Sequence, residues 1–244
     1  MENLPVISCL CVTENRTGFL KKTISCFKAQ TYPSKELLIV YTGNENLGHL
    51  LTETDTSIRI IRLPYPSSLS LGERRNISIE NCRGEYFCQW DDDDWHHNRR
   101  LEMQLNDLLS SGREACVLSR WILYDQLHHE AYLSSERMWE GSLLCKRQIF
   151  NDTLRYPHLN KSEDNDFVVK LIKRDLVHAL ATPYLYTYVY HGKNTWNSTH
   201  FQHLFTAGRK LTPASSLLMK KILEGEYDQK TASELMERGE FLSY

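Results

Sequence analysis

Residues 84–95, GEYFCQWDDDDW, pass from a glycine through an apolar stretch straight into four consecutive aspartates. Glu85 to Trp90 has the short, aromatic-rich pattern of a β-strand, so the acidic run sits at that strand's carboxyl end. In open α/β sheets this is where ligands bind. Adjacent carboxylates repel, and four at a strand end destabilise a fold unless a cation or a set of donors offsets them. Tyr86, Phe87 and Trp90 before the run and Trp95 after it set the run in a packed element rather than on an acidic tail. A hard divalent cation takes oxygen ligands. The Asp-x-Asp spacing sends Asp91 and Asp93 toward one point and leaves Asp92 and Asp94 for a sugar hydroxyl, a metal-bound water or helix capping. The alternative is a solvated loop whose acids cap the following helix. His96 and His97 read as surface histidines at a helix start, because cysteines at soft-metal spacing are absent.

The surrounding segments supply the rest of a sheet. Val6 to Val12 and Glu36 to Tyr41 are nearly continuous apolar runs, the pattern of strands buried on both faces. Between them Leu20, Ile24 and Phe27 recur at helical spacing until Tyr32-Pro33, which completes a β-α-β unit. Ile58 to Leu63 predicts another strand, and Ser70 to Cys82 a helix closed by Gly84. Leu101, Leu105, Leu108 and Leu109 predict an amphipathic helix capped by Asn98. Ala115 to Tyr124 reads as one further strand. Phe167, Val168, Leu171 and Ile172 mark a helix whose first turn, Ser162-Glu163-Asp164, offers a cap and two acids favoured by the helix dipole. From about residue 205 strand signals stop; Thr212-Pro213 opens a helix ended by Gly225, and Thr231 to Gly239 reads as a last one. The expectation is an α/β domain over residues 1–204, with a mostly parallel central sheet flanked by helices, and a helical C-terminal appendage over 205–244.

Composition narrows the class. With 41% hydrophobic and 25% charged residues and a formal net charge of -2, the 244-residue chain is an ordinary globular one, with nothing that marks a nucleic-acid binder. MENLPVISC has no basic region ahead of its apolar run and does not read as a secretory leader. The longest apolar-leaning stretch, Leu176 to Tyr190, falls short of the roughly 20 residues that span a bilayer. Seven cysteines, odd in number and without a C-x-x-C pair, read as reduced core thiols of a cytoplasmic protein.

Taken in order, PVISCLCVTENR (5–16), FKAQTYPSKELLIVYTGN (27–44), LGERRNISIENCRGEYFCQWDDDDW (71–95) and RRLE (99–102) resemble the nucleotide-binding half of glycosyltransferase family 2. WEGSLLCKRQIF (139–150) and KSEDNDFVVKL (161–171) are similar to its acceptor half. The resemblance implies a GT-A fold, with a nucleotide-binding half to about residue 110 and an acceptor half over about 111–204. It also implies an inverting transfer from a nucleotide-diphosphate sugar, a UDP-sugar first, with Mn²⁺ or Mg²⁺ bound. The acceptor is then a glycan or lipid-linked hydroxyl, as in surface polysaccharide synthesis. Thr13, Glu14 and Arg16 are implied beside the nucleobase, Arg75 at the nucleotide, Asp91 near the ribose and metal, and Asp93 as the metal ligand touching the diphosphate, with Asp92 at the nucleotide. Where the family has a base-contacting aspartate this chain has Tyr41-Thr42-Gly43-Asn44, so Thr42 or Asn44 stands in for it. Asp164 is implied as general base with Glu163 beside it. His191 corresponds to a histidine placed on the metal or diphosphate, with an exposed loop histidine as the alternative, and Lys193 is set to assist the phosphates. Trp121, Trp139 and Trp196 read as packing residues able to stack on sugars, and Arg99 and Arg100 as compensation for the acidic run.

Two other functions compete with transfer. One is a binding protein that keeps the nucleotide cleft without transfer. The other is a phosphohydrolase or nucleotidyltransferase, for which a G-x-x-x-x-G-K-[ST] loop and a second nearby acidic cluster are lacking. The tail residues Arg209, Lys210, Leu217, Leu218, Lys220 and Lys221 suit closure over the acceptor, peripheral contact with the inner face of a membrane, or a homodimer contact.

Overall fold

The computed structural model describes residues 4–50 and 55–242, so the N-terminal stretch read for a leader lies partly outside the described residues. Its strands, in chain order, are β1 (Ile7–Glu14), β2 (Lys35–Thr42), β3 (Ile58–Leu63), β4 (Tyr86–Gln89), β5 (Trp95–His96), β6 (Ala115–Leu118), β7 (Ile122–Asp125), β8 (Glu130–Leu133), β9 (Trp139–Lys146), β10 (Val177–Leu180), β11 (Tyr186–Tyr190) and β12 (Arg209–Lys210). The helices are α1 (Thr17–Lys28), α2 (Leu71–Asn81), α3 (Arg100–Ser111), α4 (Glu163–Ile172), α5 (Ser198–Ala207), α6 (Pro213–Glu224) and α7 (Gln229–Glu237).

A seven-stranded sheet runs β10-β6-β9-β4-β1-β2-β3, and a five-stranded one β12-β8-β7-β11-β5. In the larger sheet only β9 is antiparallel to its neighbours, β4 and β6, so the expected mostly parallel sheet is present. The chain lays β2 and then β3 on one side of β1 and returns to place β4 on the other. The order therefore reverses between β1 and β4, and a crevice opens at their carboxyl ends.

Side chains alternate across this sheet, as a period of two requires. Cys9, Cys11, Leu37, Ile39 and Cys88 face α1 and α3, whereas Leu10, Leu38 and Phe87 face α2 and α4. The expected division at residue 205 falls within α5, and beyond it Met219, Ile222, Ala232 and Met236 complete the core on the α1 and α3 face. All seven cysteines are buried and free. Among the described residues no helix is long and apolar enough to cross a membrane.

Several local expectations change. Ala115 to Tyr124 is two strands in different sheets: the chain breaks at Ser119-Arg120, where Ser119 N bonds to Leu180 O (3.0 Å) and Trp121 N to Ser134 Oγ (3.0 Å). Asn98 does not cap α3; its N–H bonds instead to Ser233 Oγ and its carbonyl takes Thr31 N–H. Ser162 sits in the left-handed region (φ 61°) and makes no side-chain cap. His96 and His97, expected at the surface, are fully buried. Arg100 is buried on His96, Gln104 and Gln89 O, and Arg99 pairs with Glu237, so neither offsets the acidic run.

Candidate active site

After β4 the chain leaves the sheet beside β1, held by Trp90 N on Leu10 O (3.0 Å), and the four aspartates diverge. Asp94 turns inward, where it accepts from the Tyr186 hydroxyl and from Val189 N–H (2.9 Å). Burial, reinforced by Asp93 and Asp91, holds its carboxyl well above the usual range. Its role is to seat the acidic loop on β11. Asp92, also buried, accepts from the Thr13 hydroxyl (2.5 Å) and the Arg16 guanidinium (2.9 Å). Burial and then Asp93 push its carboxyl to about 7 against the pull of Arg16 and Thr13. Asp93 lies 3.0 Å from Arg16 and 3.1 Å from His191 Nε2. Burial raises its pKa, but the His191 hydrogen bond and the Arg16 charge outweigh that and leave it below the ordinary value.

Asp91 faces the other way. Arg75, projecting from α2, reaches Glu163 Oε1 through Nε (2.9 Å) and Asp91 Oδ1 through Nη2 (3.2 Å). Burial works against the Arg75 charge, yet Asp91 and Glu163 raise its pKa well above the usual value. The bridge ties the acidic loop to the start of α4. It depends on Gly72, where a Cβ would stand 1.8 Å from Pro157 O, so only glycine lets α2 lie against the segment leading into α4. A Ser70–Glu73 capping box starts α2 at that point. Glu163 is 2% exposed and engaged in the bridge, whereas Asp164 is half-buried, accepts Asn165 N–H (2.8 Å) without an ion pair among the described residues, and lines the cavity.

The cavity measures about 300 Å³. Arg16, Arg75 and Asp91 to Asp93 line one part of it, and Asp164, Trp139, Tyr188, Trp196 and His200 another. A larger cavity of about 620 Å³ lies behind the acidic loop, against Phe19, Trp95, Ile222 and Tyr227, without Asp164 or the bridging arginine. Among the described residues no three His, Cys, Asp or Glu side chains converge as a metal cage. Of the expected ligands the structure joins Asp93 and His191, while Asp91 is drawn to Arg75. Two protein ligands completed by phosphate oxygens and water suit Mg²⁺ or Mn²⁺, so this pair fits a cation that arrives with a diphosphate. His191 Nδ1 accepts Lys193 N–H (3.3 Å), which puts the ring proton on Nε2 toward Asp93; holding a cation through Nε2 would take the other neutral tautomer, with the proton on Nδ1 and the Lys193 contact released.

The expected base contacts fare unevenly. Thr13 is committed to Asp92. Thr42 is fully buried with its hydroxyl unpartnered, so it does not reach a base, and Asn44 is the exposed residue there. Glu14 is 47% exposed and pairs with Arg74 (2.6 Å), a partner that nothing in the local pattern distinguished from Arg75. Trp121 is packed under Trp139 at 4.4 Å, whereas Trp139 and Trp196, read as packing residues, line the cavity.

Comparison with known proteins agrees with the fold. The family model for glycosyl transferase family 2 matches residues 8–179. Uncharacterised glycosyltransferases of Rickettsia typhi and Haemophilus influenzae are 26% identical over 137 residues (52% of this chain) and 31% over 98 residues (38%). The matches span only 40% and 30% of those relatives' own lengths. Among solved structures, S. aureus TarS 1-349 in complex with UDP-GlcNAc aligns with a TM-score of 0.62 at 13% identity, covering 96% of this chain and 76% of that one. The mannosyltransferase PcManGT from Pyrobaculum calidifontis, in complex with GDP-Man and Mn²⁺, aligns at 0.61 and 12% identity, covering 96% and 70%. At these identities the likeness establishes the fold, that of GT-A glycosyltransferases.

Proposed function

The chain belongs to glycosyltransferase family 2, and from that premise we propose that it is an inverting, divalent-metal-dependent glycosyltransferase that moves a sugar from a nucleotide-diphosphate sugar to a hydroxyl of a glycan or lipid-linked acceptor. The observation that carries the reading is one cavity lined by both the acidic run and Asp164, with Arg75 bridged between Asp91 and Glu163. In this reading Asp93 and His191 would hold the cation, which would neutralise charge on the departing diphosphate. Arg16, held by Asp92 at 2.9 Å and Asp93 at 3.0 Å, adds a positive charge beside that position. Asp164 takes the acceptor hydroxyl's proton as that oxygen attacks the anomeric carbon opposite the diphosphate, which inverts the centre.

The proposed donor is a UDP-sugar, consistent with the UDP-GlcNAc complex of TarS. The GDP-Man complex of PcManGT makes a guanine nucleotide the nearest alternative. Surface polysaccharide synthesis in the cytoplasm is the proposed setting. One observation favours a second reading, nucleotide-sugar binding without transfer: Thr42 is buried, which leaves the family's usual base contact to the exposed Asn44.

Thermal shifts with UDP, GDP, CDP and dTDP, each with Mn²⁺ or EDTA, test the donor site in wild type and Asp93→Ala. A nucleotide at about 100 Kd should stabilise by roughly 2.7 kcal/mol. The expected result is one nucleotide that stabilises with Mn²⁺, less with EDTA, and not in Asp93→Ala. No metal-dependent response to any of the four would remove the donor site.

A further inference from the structure

Phe19 stands on α1 apart from Leu20, Ile24, Cys26 and Phe27, which carry that helix's share of the core. It is half-buried and borders the cavity of about 620 Å³ behind the acidic loop. Its ring also meets both groups that reach Asp93. The His191 ring lies 4.7 Å away between centroids, tilted by 36°, and the Arg16 guanidinium 5.1 Å from the Phe19 centroid. The helix carrying Phe19 is fixed to the acidic loop: one turn on, and so on the same face, the buried Thr23 hydroxyl donates to Asp92 O (2.9 Å). Phe19 therefore packs against the His191 ring from an anchor that is not part of the His191 loop.

The backbone at His191 is held separately from its ring. His191 N–H donates to Asn194 Oδ1 (3.0 Å), and Asn194 Nδ2 to Val189 O (2.8 Å). The ring has two polar contacts, Lys193 N–H on Nδ1 (3.3 Å) and Asp93 on Nε2 (3.1 Å), and both depend on which nitrogen carries the proton. A cation at Nε2 needs the other neutral tautomer, and that exchange gives up the Lys193 contact. A hydrogen-bonding neighbour would favour one of the two tautomers. The face of a phenyl ring favours neither.

We propose that Phe19 is a positioning residue for the cation site: it keeps the His191 ring aimed at Asp93 while the imidazole exchanges tautomers to take up a divalent metal. This rests on the transferase reading above, with His191 as a ligand. Without the phenyl ring the imidazole has the adjoining cavity beside it and, once the Lys193 contact is released, no polar neighbour to hold it toward Asp93. The cation then loses a ligand already in place, as happens when a group that orients a metal ligand is removed.

The test uses the full chain with whichever of UDP, GDP, CDP or dTDP stabilises it, titrated with Mn²⁺ and read by the electron paramagnetic resonance of the free ion. Phe19→Leu is expected to weaken Mn²⁺ binding about tenfold, the low end of what losing such an orienting group costs. Phe19→Tyr keeps the ring, and its hydroxyl has the adjoining cavity to enter, so it should bind Mn²⁺ within about twofold of wild type. Nucleotide affinity in EDTA should be unchanged in both variants. In a His191→Ala background the Phe19→Leu loss should vanish, because the double-mutant cycle isolates what the two rings contribute together. Phe19→Met takes the place of Phe19→Leu should urea unfolding show that the latter does not fold. Unchanged Mn²⁺ affinity in Phe19→Leu, an equal loss of nucleotide affinity in EDTA, or a loss that persists without His191 would overturn the inference and leave the donor site standing. A His191→Ala variant that binds Mn²⁺ as wild type would overturn it too, and would remove His191 from the cation site. A wild type that takes up no Mn²⁺ with any of the four nucleotides would overturn the transferase reading and this inference with it.

Discussion

Arg75 decides which of two adjacent acids remains available for proton transfer. It holds Glu163 at 2.9 Å and Asp91 at 3.2 Å, leaving Asp164 the acid without an ion pair among the described residues. Asp164→Asn should therefore lower kcat by about 10²–10⁴-fold and leave donor affinity within about twofold, since its carboxylate touches no group that holds the nucleotide; steady-state kinetics against nucleotide titration check both. Glu163→Gln keeps the shape but loses a charged hydrogen bond, so urea unfolding should show a loss of about 2 kcal/mol with a smaller fall in kcat. Equal loss of kcat in the two variants, without the stability change, would reverse these roles. The Ser-Glu-Asp stretch reads from sequence as the first turn of a helix. Arg75 lies 88 positions before Glu163, so which acid is consumed does not follow from that stretch.

At the scale of elements, His97 joins the acidic loop to α7. Its Nδ1 accepts Arg99 N–H (3.1 Å) and its Nε2 faces Ser233 O (3.2 Å), so the neutral ring uses both nitrogens. Burial, with Arg99 adding to it against the Ser233 bond, lowers its pKa to about 4, from about 6.5 in an unfolded chain. Between those values the unfolded state binds the extra proton, so this histidine makes stability fall as pH drops from about 6.5 to 4, by about 3 kcal/mol in all. Asp92, raised to about 7, works in the opposite sense over a similar window. The comparison with His97→Gln isolates the histidine: urea midpoints at pH 7.5, 5.5 and 4 should fall more steeply in wild type. Parallel slopes would show that His97 charges freely in the folded protein. Sequence reading placed this histidine at a helix start and at the surface, because its burying partner arrives from 136 positions away.

At the scale of the whole molecule, α6 and α7 belong to the main core. Met219 is fully buried, so Met219→Ala should cost about 2–5 kcal/mol in urea unfolding; a loss near zero would mark the tail as a separate layer. The run of strands, the helices between them and the acids at a strand's carboxyl end were legible in the chain, because apolar periodicity and turn residues act over a few neighbours. The departure from the family's base contact at Thr42 was legible too, as a residue type out of place. Only the tertiary structure decided that Asp94 seats the loop, that Asp93 meets His191 while Asp91 meets Arg75, that Thr42 is buried, and that Trp139 and His200 line the cavity beside Asp164. Each of those outcomes depends on partners tens of residues distant, and burial and charge at a site are set by what the fold brings together rather than by spacing along the chain.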